Sequence, residues 1–246
     1  MTLLRADGLS RAFGGLMAVQ DVSFEVPEGG LVGLIGPNGA GKTTLFALLS
    51  GFLAPSAGRV HFGGADVTAL APHQRAALGM ARTFQIVQPF AGLSVLENIA
   101  VGAYLRHSRR ADAMIVARGV AEEVGLGPLL ATPASALTVA GRKRLELARA
   151  LATEPRLLLL DEVLAGLNPS EVRDMLPILQ AIRGRGVGIL MIEHVMQAVM
   201  SLCEHVHVLA SGQLIAAGSP REVTADPAVI EAYLGKGAAS RLAAHA

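Results

Sequence analysis

The chain has 246 residues, a formal net charge of +1, 52% hydrophobic residues and a single cysteine, Cys203. A near-neutral balance argues against general polyanion binding, one cysteine excludes an internal disulfide framework, and no stretch approaches the roughly 20 apolar residues that span a bilayer. Met1 to Asp7 carry no long apolar run, so the expectation is a cytosolic chain with a sizeable core, and anything that crosses a membrane must come from another subunit.

Val22-Ser23-Phe24-Glu25-Val26 alternates apolar and polar residues, which predicts an antiparallel edge strand. Pro27-Glu28-Gly29-Gly30 then turns the chain into the apolar run Leu31 to Ile35, a buried central strand. Directly after it, Gly36-Pro37-Asn38-Gly39-Ala40-Gly41-Lys42-Thr43 fits the phosphate-binding pattern G-x-x-x-x-G-K-[ST] and leads into a second apolar segment, Leu45 to Leu49. Residues without side chains let successive N–H groups turn toward phosphates, and the helix that follows adds its positive end. Lys42 would reach the β- and γ-phosphates and the Thr43 hydroxyl would ligate Mg²⁺. Further on, Gly58 to Gly64 reads as a short strand and turn, and residues from about 86 to 150 carry helical patterns with no convincing strand, predicting a separate helical lobe. Within that lobe, Arg142, Lys143 and Arg144 predict a solvated face or a contact with a partner subunit, in preference to a nucleic-acid patch.

Strands return at Leu157 to Leu160 and Val187 to Ile192, continuous apolar runs of the kind found where helices cover both faces of a parallel sheet. Asp161 and Glu162 follow the first of these, at the sheet edge where ligands bind. One acid could hold a hydrated Mg²⁺ while the other polarises a water for attack on the γ-phosphate. Asn168-Pro169-Ser170-Glu171 supplies an N-cap, a proline at the first helical position and an acid at the third, so a helix begins there, kinked or interrupted at Pro177. Another helix runs from about Val195, and His205 to Leu209 with Gln213 to Ala217 reads as a hairpin around Ser211-Gly212. His205 and His207 share one face of that hairpin but lack a third ligand nearby, so no metal site is expected. Short helices follow from Ser219, and the Gly/Ala-rich tail, 236 to 246, is expected to be loosely ordered.

These landmarks occur in a fixed order: Gly36 to Thr43, Gln85 in Thr83-Phe84-Gln85, Leu157 to Glu162, Ala165-Gly166-Leu167-Asn168, then His194. Over about residues 3 to 235 the chain resembles the ATP-binding subunits of ABC transporters. The resemblance implies an α/β P-loop NTPase fold of the ABC ATPase type: a RecA-like core (1–85 and 151–235), an N-terminal antiparallel β portion and an inserted helical subdomain (86–150), one domain over 1–235 followed by the tail. It further implies that Phe13 stacks on adenine, and that Gly36, Pro37, Asn38, Gly39, Ala40, Gly41, Lys42, Thr43 and Thr44, with Asp161, bind ATP. Thr43, Gln85 and Asp161 would hold Mg²⁺, Glu162 would be the general base, and His194 would contact the γ-phosphate, with Gln85 sensing the metal and the transmembrane partner.

In this family two subunits pair head to tail, identical or not, so Thr138, Ala140 and Asn168 are expected to reach the partner's ATP. Integral permease subunits are the other implied partners, docking near Pro89-Phe90-Ala91-Gly92-Leu93, with a solute-binding protein indirectly and no nucleic acid. The implied location is peripheral, on the cytoplasmic face of the inner membrane. Phe13-Gly14-Gly15-Leu16, Ala81-Arg82-Thr83-Phe84-Gln85 and Ile192-Glu193-His194 look most like the branched-chain amino acid importers. Importers of amides or urea, and soluble ABC ATPases acting on ribosomes or DNA, are the alternatives; the soluble class usually adds a second nucleotide domain, a coiled-coil insertion or a basic extension, and none is present.

Three positions depart from the commoner family pattern. Leu137-Thr138-Val139-Ala140-Gly141 stands where the signature usually reads Leu-Ser-Gly-Gly-Gln or Leu-Ser-Tyr-Gly-Gln, Val163 where a proline usually follows the glutamate, and Asn168 where many relatives carry aspartate, although amino acid importers resemble this chain there. Thr138 keeps a hydroxyl that can cap the following helix, so reduced but real hydrolysis is expected.

Overall fold

Two long strands, β1 (Thr2–Phe13) and β2 (Leu16–Pro27), open the chain as an antiparallel hairpin turned at Gly14-Gly15. β3 (Leu31–Ile35) follows, then α1 (Lys42–Leu49), β4 (Ala57–Phe62), β5 (Ala65–Asp66), α2 (Pro72–Ala77) and β6 (Met80–Arg82). Three helices come next, α3 (Val95–Ala103), α4 (Arg110–Glu123) and α5 (Val139–Leu151), before β7 (Leu157–Asp161), α6 (Pro169–Gly184), β8 (Gly188–Ile192) and α7 (Met196–Leu202). The hairpin β9 (His205–Ala210) and β10 (Gln213–Gly218) and the short helices α8 (Pro220–Ala225) and α9 (Pro227–Leu234) end the described fold. These bounds come from a computed structural model that describes residues 1–85, 88–235 and 241, so the expected loose order of 236–246 lies, Arg241 apart, outside the described residues.

The strands form two sheets. One is antiparallel, in the order β2-β1-β4-β5, and contains the anticipated edge strand as the second half of β2. The other has the order β10-β9-β3-β8-β7-β6, parallel except for β10 at its edge. Because successive side chains of a strand point to opposite faces, each buried strand of the parallel sheet feeds two cores. Leu158 and Leu160 of β7, with Ile189 and Met191 of β8, join the cluster formed by α3 to α7. Leu157 and Leu159, with Leu190 and Ile192, join the cluster that holds α1 and the antiparallel sheet. Every residue of β3, β7 and β8 is buried, which is why these strands read as unbroken apolar runs.

Three sequence expectations change. β1 and β6 were not anticipated: β1 carries polar residues such as Arg5, Asp7 and Ser10 that blur its alternation, and β6 is only three residues long. α6 is continuous through Pro177 and is not interrupted there. A proline inside a helix costs about 3 kcal/mol, but Val172, Met175, Leu179 and Ile182 are buried on one face of α6, and at about 1.5–3 kcal/mol each their burial outweighs it. Elsewhere the expected Asn168 cap is present, its side chain accepting from the Ser170 and Glu171 amides while Glu171 returns a bond to Asn168 N.

Candidate functional site

In a parallel sheet all carboxyl ends lie at one edge, so the segments leaving β3, β6, β7 and β8 meet there. These segments are the loop 36–43, Thr83 to Gln85, Asp161-Glu162 and Glu193-His194. From these segments Asn38 to Thr43, Gln85 and Glu162 line a cavity of about 560 Å³, together with Thr44, with Leu16, Met17 and Ala18 of β2, and with Ser211-Gly212 between β9 and β10. The loop fits tightly under the neighbouring backbone. A Cβ on Gly36 would stand 2.0 Å from the Leu209 carbonyl oxygen, and one on Gly41 would stand 2.2 Å from that of Ala18, so only glycine serves at either position. Lys42 is buried at the start of α1, its Nζ donating to the Gly36 and Pro37 carbonyls at 2.7 and 2.9 Å. Burial lowers the pKa of that ammonium, and the carboxylates of Glu162 and Asp161 partly restore it.

Glu162 is the hub. Gln85 Nε2 donates to its Oε2 at 2.7 Å and His194 Nε2 lies 2.8 Å from its Oε1, so both oxygens are engaged. Three residues that the sequence placed far apart therefore meet on one carboxylate. Asp161 sits deeper, 2% exposed, where burial raises its pKa against the hydrogen bond from Arg82, whose Nη2 donates to Oδ2 at 3.0 Å. Thr83 holds the Asp161 amide through its hydroxyl, at 3.1 Å. The Arg82 guanidinium lies 5.2 Å from the Phe84 ring centre and 5.8 Å from those of Phe46 and Phe52, an aromatic cage around a buried cation. Glu193, beside His194, is 1% exposed, and burial pushes its carboxyl up to about 7.

Other predicted residues are placed differently. Phe13 is exposed and faces the Arg11 guanidinium at 5.0 Å, while the cavity wall on that side is formed by the next strand. Thr138 does cap α5, its hydroxyl accepting from Gly141 N at 3.1 Å, and Ala140 lies in the first turn; neither lines the cavity of its own chain, and nor does Asn168. The expectation of a solvated Arg142-Lys143-Arg144 face is wrong at Lys143. That side chain is 7% exposed and turns inward, its Nζ donating to the Glu162 carbonyl at 2.8 Å and the Gln85 carbonyl at 3.4 Å. Arg142 is exposed and ties back to the Leu137 carbonyl, while Arg144 is half-buried and pairs with Asp174. His207 is buried against Phe24, with ring centres 5.0 Å apart, and lies beside His205; no group of three metal-binding side chains exists among the described residues.

Arg82, Glu193, Lys143 and the pair Ser211-Gly212 had no motif of their own. Only their neighbours, Gln85, His194, the signature segment and the β9–β10 turn, could have pointed to them. A second cavity of about 320 Å³ opens between the core and α3 and α5, lined by Phe52, His73, Phe84, Val101, Glu146 and Arg149 among others. Phe90, expected as the docking residue, stands next to it with its ring 4.8 Å from the Arg149 guanidinium, and its backbone is held by Asn98.

A phosphate loop between a central parallel strand and a helix, with Asp161 and Glu162 at the carboxyl end of β7 and Glu162 lining the loop's cavity, defines a P-loop nucleotide hydrolase. The chain belongs to the ABC transporter family, whose profile matches residues 19–165, and it is an ATPase subunit of that family. A second profile, described as "Branched-chain amino acid ATP-binding cassette transporter", matches residues 213–239. The chain is 39% identical to "High-affinity branched-chain amino acid transport ATP-binding protein BraF" of Pseudomonas aeruginosa, over 95% of this chain and 98% of that protein. It is 36% identical to "Lipopolysaccharide export system ATP-binding protein LptB" of Acidithiobacillus ferridurans, over 95% and 97%. Among solved structures, a nucleotide-free ATP-binding cassette from an ABC transporter superposes with a TM-score of 0.88 at 31% identity, covering 96% of this chain and 100% of that one.

Proposed function

We propose that this chain hydrolyses ATP to power import of branched-chain amino acids through separate integral membrane subunits. The observation that carries the chemistry is that Gln85 and His194 both bond the carboxylate of Glu162, a residue that lines the phosphate-loop cavity. The cargo is supported by the 213–239 profile and by relatives such as BraF. The similarity to LptB shows that cassettes of this likeness also bear names from lipid export, so cargo needs its own test.

The residues fit a Mg²⁺–triphosphate. Asn38 to Thr44 of the loop and helix start line the cavity, and the neighbouring backbone of Leu209 and Ala18 excludes side chains at Gly36 and Gly41. Thr43, Gln85 and Asp161 offer only hard oxygen donors, as Mg²⁺ prefers, and the metal would supply positive charge to the phosphates. Asp161 gives Oδ2 to Arg82, and its other oxygen takes no hydrogen bond from the described residues. Glu162 accepts from Gln85 and His194; when one of them turns away, an oxygen is freed to take a proton from water. Phe13 would cover adenine, and Thr138, Ala140 and Asn168 would complete the site of a second subunit.

In this reading α3 to α5 form a lobe over 86–150 on a core of 1–85 and 151–235, and the Phe52–Phe84 cavity receives a permease segment at the cytoplasmic face of the inner membrane. No helix among the described residues is long and apolar enough to cross a membrane, so the permease must provide the passage. The test is uptake of labelled leucine, acetamide and urea by proteoliposomes holding this chain with its membrane subunits. ATP-dependent leucine uptake is expected; uptake of an amide or urea without leucine overturns the cargo.

A further inference from the structure

Glu162 has a left-handed backbone, φ 51°, which a residue with a side chain adopts only when its surroundings enforce it. The enforcing groups can be named. Glu162 N donates to the Ile192 carbonyl at 3.0 Å. Its own carbonyl accepts from Lys143 Nζ at 2.8 Å, and two residues on, Leu164 N donates to Glu193 Oε1 at 2.9 Å. Two buried ionisable side chains, one from α5 and one from the end of β8, thus grip the backbone on either side of the same turn.

Neither side chain is there to fill space. Lys143 forms no salt bridge with a carboxylate among the described residues, and its ammonium is satisfied by the Glu162 and Gln85 carbonyls. Glu193 spends one oxygen on Leu164 N, while its other oxygen is buried with no hydrogen-bond partner. Apolar residues of similar size would pack there without the desolvation cost, so the polar groups are explained by the bonds they make to this turn. Lys143 also spans two elements, because its second acceptor belongs to Gln85, whose side chain holds the Glu162 carboxylate.

We propose that Lys143 and Glu193 are positioning residues that clamp the left-handed turn Glu162–Leu164 and so aim the Glu162 carboxylate into the nucleotide cavity. Because Lys143 is carried by α5, the clamp is complete only while α5 lies against the core. The helix that begins at the signature segment thereby sets the geometry of its own subunit's glutamate. This inference rests on the reading of Glu162 as the base.

The test compares Lys143→Met, Lys143→Arg and Glu162→Gln in the full chain, with kcat, KM for ATP, ATP affinity by calorimetry, melting temperature and hydrogen exchange at the Leu164 and Ala165 amides. Losing the charge-assisted hydrogen bond to the Glu162 carbonyl, along with the longer one to Gln85, predicts a fall of about tenfold or more in kcat for Lys143→Met, with ATP affinity changed less than about threefold. Exchange at Leu164 should quicken, and Lys143→Arg should recover most of the lost rate. A Lys143→Met kcat within about twofold of the parent overturns the proposal, as does a parallel fall in affinity and kcat that Lys143→Arg does not rescue. If Lys143→Met does not fold, Lys143→Gln, polar but too short to reach, takes its place with the same outcomes. An active Glu162→Gln would instead remove the reading beneath the proposal, so the two failures are distinguishable.

Discussion

At the scale of single residues, charge dictates the clearest outcomes. Lys42 is a buried cation at the start of α1, and its replacement by alanine removes the group proposed to meet the β- and γ-phosphates. ATP affinity by calorimetry should fall by tenfold or more for Lys42→Ala, a loss of at least about 1.4 kcal/mol, with little change in melting temperature. His207 makes a different prediction. Both its ring nitrogens are buried without partners, and burial lowers its pKa to about 4 from 6.5. Above 6.5 the ring is neutral in folded and unfolded chains alike, so its charge costs nothing there. As pH falls from 6.5 toward 4 the unfolded chain takes up a proton that the folded chain refuses, and up to about 3 kcal/mol is lost. Urea titrations at pH 7 and 5 should show about 2 kcal/mol of that loss, and His207→Phe, a ring without the proton, should flatten it.

At the scale of elements, the start of α5 and the groove beside it carry the testable consequences. The variant signature leaves Thr138 as a working cap, so helix formation is not in question. Ala140 presents a methyl where relatives usually have glycine, and Ala140→Gly should raise ATP turnover in the assembled transporter if that methyl holds the amide away from the partner's nucleotide. Unchanged or lower turnover would show the segment to be adapted as it stands. Restoring glutamine at Gly141 as well is a poorer test, because a Cβ there would lie 3.3 Å from Leu137 side-chain atoms and press on the cap. In the groove, Phe90 stands exposed over Arg149, outside the nucleotide cavity. If this groove is the proposed docking surface, Phe90→Ser should reduce reconstituted uptake several-fold more than ATP affinity; equal losses in both would refute that role.

At the scale of the whole molecule, Thr138 and Ala140 lie outside the cavity of their own chain, so the proposed composite site needs a second subunit. Glu162→Gln keeps the shape and removes the proposed base, so with ATP it should accumulate as a dimer on size-exclusion chromatography, while the parent chain stays mostly monomeric. A mutant that hydrolyses ATP at the parental rate would take Glu162 out of the chemistry.

What the sequence determined by itself is local. Three unbroken apolar runs announced buried parallel strands, the spacing of Gly36, Gly41, Lys42 and Thr43 announced a phosphate loop, and the pair Asp161-Glu162 followed a strand as a site acid should. Those features are legible because period, turn chemistry and motif spacing are properties of neighbouring residues. Strand order was not legible, nor was the inward turn of Lys143, because a helical run of three basic residues gives no sign of which one meets the core. Only the tertiary structure brought Gln85, His194 and the buried Lys143 and Glu193 onto one turn at Glu162. The reason is geometric: parallel strands bring segments distant in the chain to one edge, and burial there turns ordinary side chains into directed, charge-assisted hydrogen bonds.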